Sequence, residues 1–407
     1  MSADYASRRG QQRKGERLFT AVRSAILGCA FVAPGAFAQA DLPTGEQVQH
    51  GSADFVRDSN SLTVDQHTGS LVVNWDDFSI AAGNKVNFLQ NVTDIALNRV
   101  VGDNPSHIYG DINAGGQVFL INQSGILFSP TSRVDAAGLV ASTLDISDED
   151  FLSGNYDFAG TGGSVINQGT INVADGGYVA LLGQEAINSG IIAARMGTVA
   201  IGAGERVTFD LNGDGLVNFH VEKAAVDALV ANHGMVYAEG GVVYMTAKAA
   251  GDLAATVVNN DGVIEATSIE ERDGKVFLVA EGGDIASSGS IDVAGAGAAD
   301  GGEVTLDTDG TTIVSGAISA GSGDQGGVGG SVKVLGDQVG LGADADIDAS
   351  GVNGGGDVLI GGGFQGNDAD VRNASRTFVA GDASISADAL DNGDGGTVIV
   401  WADEITR

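Results

Sequence analysis

"QVFLINQSGILFSP", residues 117–130, is the stretch on which the fold turns. Val118 and Leu120, then Ile126 and Phe128, alternate with their neighbours as strand residues do. Between the two runs sits Asn122-Gln123-Ser124-Gly125, a cluster of turn formers. A hairpin would bring the second strand back beside the first. A corner in a solenoid would send it onto a new sheet. The local sequence fits both, so the decision comes from the rest of the chain.

Two small patterns recur. In one, a glycine precedes apolar residues at the second and fourth positions after it, as in Gly177-Val179-Leu181, Gly197-Val199-Ile201, Gly241-Val243-Met245, Gly274-Val276-Leu278, Gly302-Val304-Leu306, Gly330-Val332-Val334, Gly356-Val358-Ile360 and Gly396-Val398-Val400. In the other, a lone Ile or Val follows a small residue by two places: Ile171, Ile192, Val236, Ile264, Ile291, Ile318, Ile347 and Ile385. The series interleave, with a period of roughly 20 to 30 residues and several strands per period, as solenoids do. Helical stripes and the Leu-x-x-Leu-x-Leu pattern are missing. Short β-branched strands with Gly, Asn, Asp and Ser at the corners predict an all-β chain wound as a parallel β-helix. At about 25 residues per coil, the exported length gives on the order of 14 coils and a rod of roughly 60 Å.

Composition agrees. The chain has 64 glycines but only 4 prolines in 407 residues, and strand interiors that donate to a ladder exclude proline. Residues 1–38 read as a signal peptide: Arg8, Arg9, Arg13, Lys14, Arg17 and Arg23, then an apolar run from Ala25 to Val32, then Ala36-Phe37-Ala38 as the cleavage site. Ile26-Leu27-Gly28-Cys29 only faintly resembles a lipidation box. Cleavage leaves 14 basic and 51 acidic residues, a net charge of −37. That argues against nucleic acid and anionic membrane surfaces as partners, and no later run is long enough to span a bilayer. Cys29 is the only cysteine, so the exported chain has none, which suits either a fold without staples or passage through a pore unfolded.

Both series show a gap of 44 residues near 202–230. There "RVTFDLNGDGLVNFHV" predicts an extra-helical hairpin. Asp210, Asn212, Asp214 and Gly215 imitate the start of a calcium loop, but Val221 occupies the twelfth position where a carboxylate is needed. Glu222–Val230, "EKAAVDALV", is the one predicted helix. Residues 41–100 repeat less and carry Trp75 and Phe78; they are read as an N-terminal cap with the first coils, shielding a sheet edge. No such cap is visible after "GGTVIVWADEITR", so the sequence is expected to be part of a longer protein.

Trp75 to Ser147, with "WDDFSIAAGNKVNF", "LNRVVGD", "GQVFLINQSGILFSP" and "GLVASTLDIS", resembles the secretion domain of two-partner-secretion exoproteins of the filamentous haemagglutinin and high-molecular-weight adhesin type. Asn98-Arg99-Val100, Gly116 to Asn122 and Ala141 to Asp145 are its most specific parts, and a looser likeness runs on to Trp401. The resemblance implies a right-handed parallel β-helix with an N-terminal β cap. It also implies export through the periplasm, recognition by a dedicated outer-membrane barrel transporter, passage unfolded, and folding outside. By that resemblance the opening stretch is a coil corner, Asn122-Gln123-Ser124-Gly125-Ile126, matching the family's Asn-Pro-Asn-Gly-Ile turn at Asn122, Gly125 and Ile126 and departing at Gln123 and Ser124. Those five residues, with Asn98 and Arg99, are the candidate secretion motif. Either the turn contacts the transporter or it nucleates folding. Loss of the proline, which pre-sets a type I turn, is expected to loosen the corner.

Other constellations carry less. His50, His67, His107, His220 and His233 lack ligand spacing, so no metal or other cofactor is expected. Asp344, Asp346 and Asp348 alternate as on one strand face but have no basic cluster nearby to hold an acidic sugar. Gly321 to Gly326 and Gly361 to Gly366 match a dinucleotide pattern without opening a helix. Asn91, Asn122 and Asn373 lie in Asn-x-Ser/Thr sequons. The resulting expectation is a monomeric, non-enzymatic, secreted or cell-surface exoprotein: signal peptide 1–38, secretion domain 39–265, continuing repeats 266–407. The longer protein is expected to act as an adhesin on host or neighbouring-cell surface glycans or proteins. The alternatives are a β-helix enzyme that degrades polysaccharide and an autotransporter passenger.

Overall fold

The computed structural model describes residues 42–212, 215–250, 255–269 and 272–407. The expected signal peptide lies outside them. Three long sheets run the length of the described chain. The coil that contains the opening stretch shows the winding: Gln117–Ile121 lies in the first sheet, Ile126–Phe128 in the second, Arg133–Ala136 in the third, and Gly138–Ser142 returns to the first directly above the starting strand. Ile126–Phe128 pairs in parallel with Ser106–Ile108 below and Ser164–Asn167 above. The stretch is a corner of a parallel β-helix and not a hairpin.

Both repeat series are interior columns. Val179, Val199, Val243, Val276, Val304, Val332, Val358 and Val398 stack in register. So do Ile171, Ile192, Val236, Ile264, Ile291, Ile318, Ile347 and Ile385. The glycine of the first pattern marks the tightest approach between rungs. A Cβ on Gly197, Gly241, Gly330 or Gly356 would collide with the carbonyl oxygen of Gly177, Gly197, Gly302 or Gly330 one rung below. Asn167, Asn188, Asn232 and Asn260 form a buried amide ladder at the end of the second-sheet strands, each Nδ2 donating to the next Oδ1 at 2.8–2.9 Å.

The N-terminal cap is antiparallel. Gln47–His50 runs against Ser70–Trp75, and Ala53–Arg57 against Ser61–Gln66. From Ser70–Trp75 to Thr397–Val400 the first sheet holds 12 parallel rungs among the described residues, fewer than the length suggests. The shortfall went into two excursions. The expected hairpin is one of them, Arg206–Asn212 against Gly215–Lys223. The other was not foreseen: after Gly138–Ser142 the chain forms a helix, Asp148–Ser153, and a strand, Tyr156–Ala159, that pairs antiparallel with Arg206–Asn212.

Together the excursions cover the outer face of the first sheet and enclose a second core. Val72, Leu97, Phe119, Val140, Tyr178, Ala180, Leu182 and Ala200 point outward from the rungs and meet Leu144, Ile146, Phe151, Phe158, Val207, Phe209, Leu216, Phe219 and Val221. Strands buried on both faces lose alternation: Tyr178–Gly183 and Thr198–Ala203 are buried at every position, whereas Val242–Lys248, at the edge of the cover, is buried at every second one. The larger of these side chains each contribute about 1.5–3 kcal/mol on burial.

The helix expected at Glu222–Val230 is not there. Glu222 and Lys223 end a strand, and Leu229–Asn232 is a rung strand in which Val230 stacks between Ala186 and Val258. Column packing overrides the helix propensity of the alanines. The helix that does form has the sharper end signals. Ser147 accepts from the Asp150 backbone N–H at 3.0 Å, and Gly154 closes it at φ +76°. Asp214 of the calcium-like segment lies outside the described residues, and Val221 is buried in the second core.

Candidate functional site

The corner at Asn122–Ile126 is a β-turn: the Gly125 N–H donates to the Asn122 carbonyl at 3.1 Å, with Gly125 at φ +125°. Only glycine takes that φ without strain. The Asn122 side chain ties the corner together. Its Oδ1 accepts from the Ser124 N–H at 2.9 Å, and its Nδ2 donates to the Asn104 carbonyl at 2.9 Å and to Ser106 Oγ at 3.0 Å. The Asn122 N–H reaches the Ser142 carbonyl, and the Gly163 N–H reaches the Gln123 carbonyl. One buried amide therefore fixes the turn and the rung below it, while the backbone fixes the rung above. Gln123 and Ser124 are exposed, and Ile126 is buried in the main core.

Asn98 and Arg99 are chain neighbours on opposite faces of one strand. Asn98 is buried inside the solenoid, where its Oδ1 accepts from Trp75 Nε1 at 3.1 Å and its Nδ2 donates to the carbonyls of Ala96 and Phe119 at 3.3 Å. Phe55 and Phe78 pack edge-on against the same indole. Arg99 points outward and spans the start of the cover. Its guanidinium donates to Asp145 Oδ1 at 2.9 Å, Asp148 Oδ1 at 2.7 Å and the Ile146 carbonyl at 2.5 Å. Burial opposes its charge, but the hydrogen bonds and the field of Asp148 and Asp145 outweigh that and raise its pKa.

The structure thus brings the three specific stretches together. Asp145 receives Arg99 on one oxygen and Gln123 Nε2, at 3.4 Å, on the other. Gln117 accepts from the buried Tyr178 hydroxyl at 2.6 Å, and burial pushes that phenol well above its ordinary range. Asp148, Tyr178 and the first half of the cover, residues 144–159, were not read from the sequence, whereas the hairpin of the second half was. The signal available for them was the unbroken apolar runs, which mark strands covered on both faces. Asp346 and Asp348 face outward from a third-sheet strand around the buried Ile347, as their alternation predicts.

With this geometry in place, the comparisons are direct. The architecture is a capped parallel β-helix with one face covered by extra-helical elements. Residues 39–293 match the family model of the TPS secretion domain, and the chain belongs to that family. It is 34% identical over 270 residues to a protein of Haemophilus influenzae strain Rd named heme/hemopexin-binding protein, and 29% identical over 276 residues to a second H. influenzae protein of that name. These alignments cover 63% and 62% of this chain and 29% of each relative, so the chain spans less than a third of their length. The crystal structure of the HMW1 secretion domain from H. influenzae superposes with a TM-score of 0.71, covering 89% of this chain and 98% of that one at 24% identity. Proteins with TPS secretion domains are secreted by the two-partner route to the cell surface or beyond. Among the described residues no helix is long and apolar enough to cross a membrane.

Proposed function

We propose that residues 39–265 are a secretion signal read by a dedicated outer-membrane barrel transporter. The chain passes that pore unfolded and folds outside, with residues 266–407 continuing the rod and the whole protein acting as a non-enzymatic adhesin on surface glycans or proteins. The observation that supports this reading is the convergence of Arg99, Gln123 and Asp145 on one outer patch of three successive rungs, with Asn98 buried behind it. Deleting residues 98–145 is expected to leave the protein in the periplasm of cells that carry the transporter. Normal release of that deletion would sink the reading. Enzymatic activity would instead show as cleavage of an acidic polysaccharide that Asp346→Ala abolishes.

The names of the two relatives favour a second reading of the whole protein, binding of haem or hemopexin. Titrating the secreted protein with haemin and following the Soret band separates the two: a saturable red shift supports haem binding, and an unchanged free-haem spectrum leaves adhesion.

A further inference from the structure

We propose that Arg99 is a positioning residue that pins the first half of the outer cover to the rod before the second half is available. The proposal rests on the reading above, in which the chain passes the pore unfolded and folds outside, and adds that the rungs form in chain order from the N-terminal cap. In that order Asp145 and Asp148 follow Arg99 by 46 and 49 positions. The strand that completes the cover follows much later: Arg206, which donates two hydrogen bonds to the Asp157 carboxylate, is a further 49 positions beyond it.

In that interval the second core is half built. Leu97, Phe119, Val140 and Tyr178 face outward and are covered only by Leu144, Ile146, Phe151 and Phe158. Phe151 and Phe158 touch Phe119 with ring centroids 5.5 and 6.2 Å apart. The helix that carries Phe151 has six residues, too few to persist by itself, and Tyr156–Ala159 still lacks Arg206–Asn212, its only strand partner among the described residues. An open apolar sheet face invites aggregation. Arg99 meets this need: its side chain is only 14% exposed, and three hydrogen bonds hold residues 145, 146 and 148, in the lead-in and first turn of the helix, against the second parallel rung of the first sheet. All of its partners precede residue 149, so the clamp closes without any help from 206–223.

Pulse-labelled hydrogen exchange during refolding of the full chain tests this. In the unaltered protein, residues 144–159 should gain protection about tenfold earlier than residues 206–223, a lead of the size that charge-assisted hydrogen bonds sustain. Arg99→Gln should abolish the lead, so that both halves become protected together, while rung strands such as Thr198–Ala203 keep their normal rate. Arg99→Lys, which keeps the charge and at least one bond, should restore part of it. If Arg99→Gln does not fold, Asp148→Asn, which leaves the Asp145 bond, should shorten the lead. Simultaneous protection of both halves in the unaltered protein would overturn the proposal, as would an undiminished lead in Arg99→Gln. The transporter reading is tested separately: normal release of the 98–145 deletion would discard it without altering the refolding order.

Discussion

The indole of Trp75 donates to the amide oxygen of Asn98 inside the solenoid, two buried polar groups meeting among apolar side chains. Neither can reach water. Asn98→Ala would leave Trp75 Nε1 and the Phe119 carbonyl without this partner, at a cost of about 1–3 kcal/mol for a buried unpaired group. Urea unfolding should show a lower midpoint with an unchanged slope, and Asn98→Asp should be worse than Asn98→Ala because it adds a buried charge.

The amide ladder should respond to a break in its middle. Asn188 accepts from Asn167 and donates to Asn232, so Asn188→Ala strands two buried amides and should cost about 2–4 kcal/mol. At the ladder's end Asn260 stands in register with Ser287, and Asn260 Nδ2 and Ser287 Oγ each lack a partner within the protein. Ser287→Asn offers Asn260 an acceptor and is expected to raise the melting temperature. A lower melting temperature would show that the rung has no room for it.

The glycine column makes a prediction opposite to the usual benefit of replacing glycine. Gly330 lies where a Cβ would strike the Gly302 carbonyl. Gly330→Ala must therefore force two rungs apart, and overpacking of this kind costs about 1–3 kcal/mol. Gly83 and Gly381, with nothing within 4 Å of the added carbon, serve as controls for space. Gly381→Ala should be nearly neutral by thermal unfolding, whereas Gly83, at φ +81°, carries its own conformational penalty.

Acid should loosen the cover at its helix first. Hydrogen bonds from Ser147 and Asn155 hold the Asp150 carboxyl below its ordinary pKa. A carboxylate whose folded pKa is depressed stabilises the fold above the unfolded value of about 3.9 and loses that contribution as pH falls through the lower folded value. Native-state hydrogen exchange of Asp148–Ser153 should therefore accelerate below about pH 4, and Asp150→Asn should remove that pH dependence.

Much of this architecture is legible in the sequence because a β-helix writes itself as columns. Val179 and Ile171 each found their successors at recurring distances, and both series stack as read. The corner was legible because Asn, Ser and Gly are turn residues for identifiable reasons. The second core was not legible, because its members come from Val72 to Val221 and no local period joins them. Arg99 stands out as a charge in an apolar strand, but its partners lie 46 and 49 positions away and only the fold shows them. The misplaced helix has the same origin: "EKAAVDALV" is helical by composition, and Val230 is held extended by the rungs on either side.

The two-sided burial of the early rungs has one more consequence. In a stacked array each rung leans on its neighbours, and melting begins where the coupling is weakest. Strands such as Tyr178–Gly183 are clamped on both faces, while Ser331–Val334 and Asp357–Ile360 are buried on one face only. Heat or a protease should therefore peel the rod from its far end. The last piece to survive would be the stretch bearing Asn98, Asn122 and Asp145, so the segment proposed to be read by the transporter would also be the last to come apart.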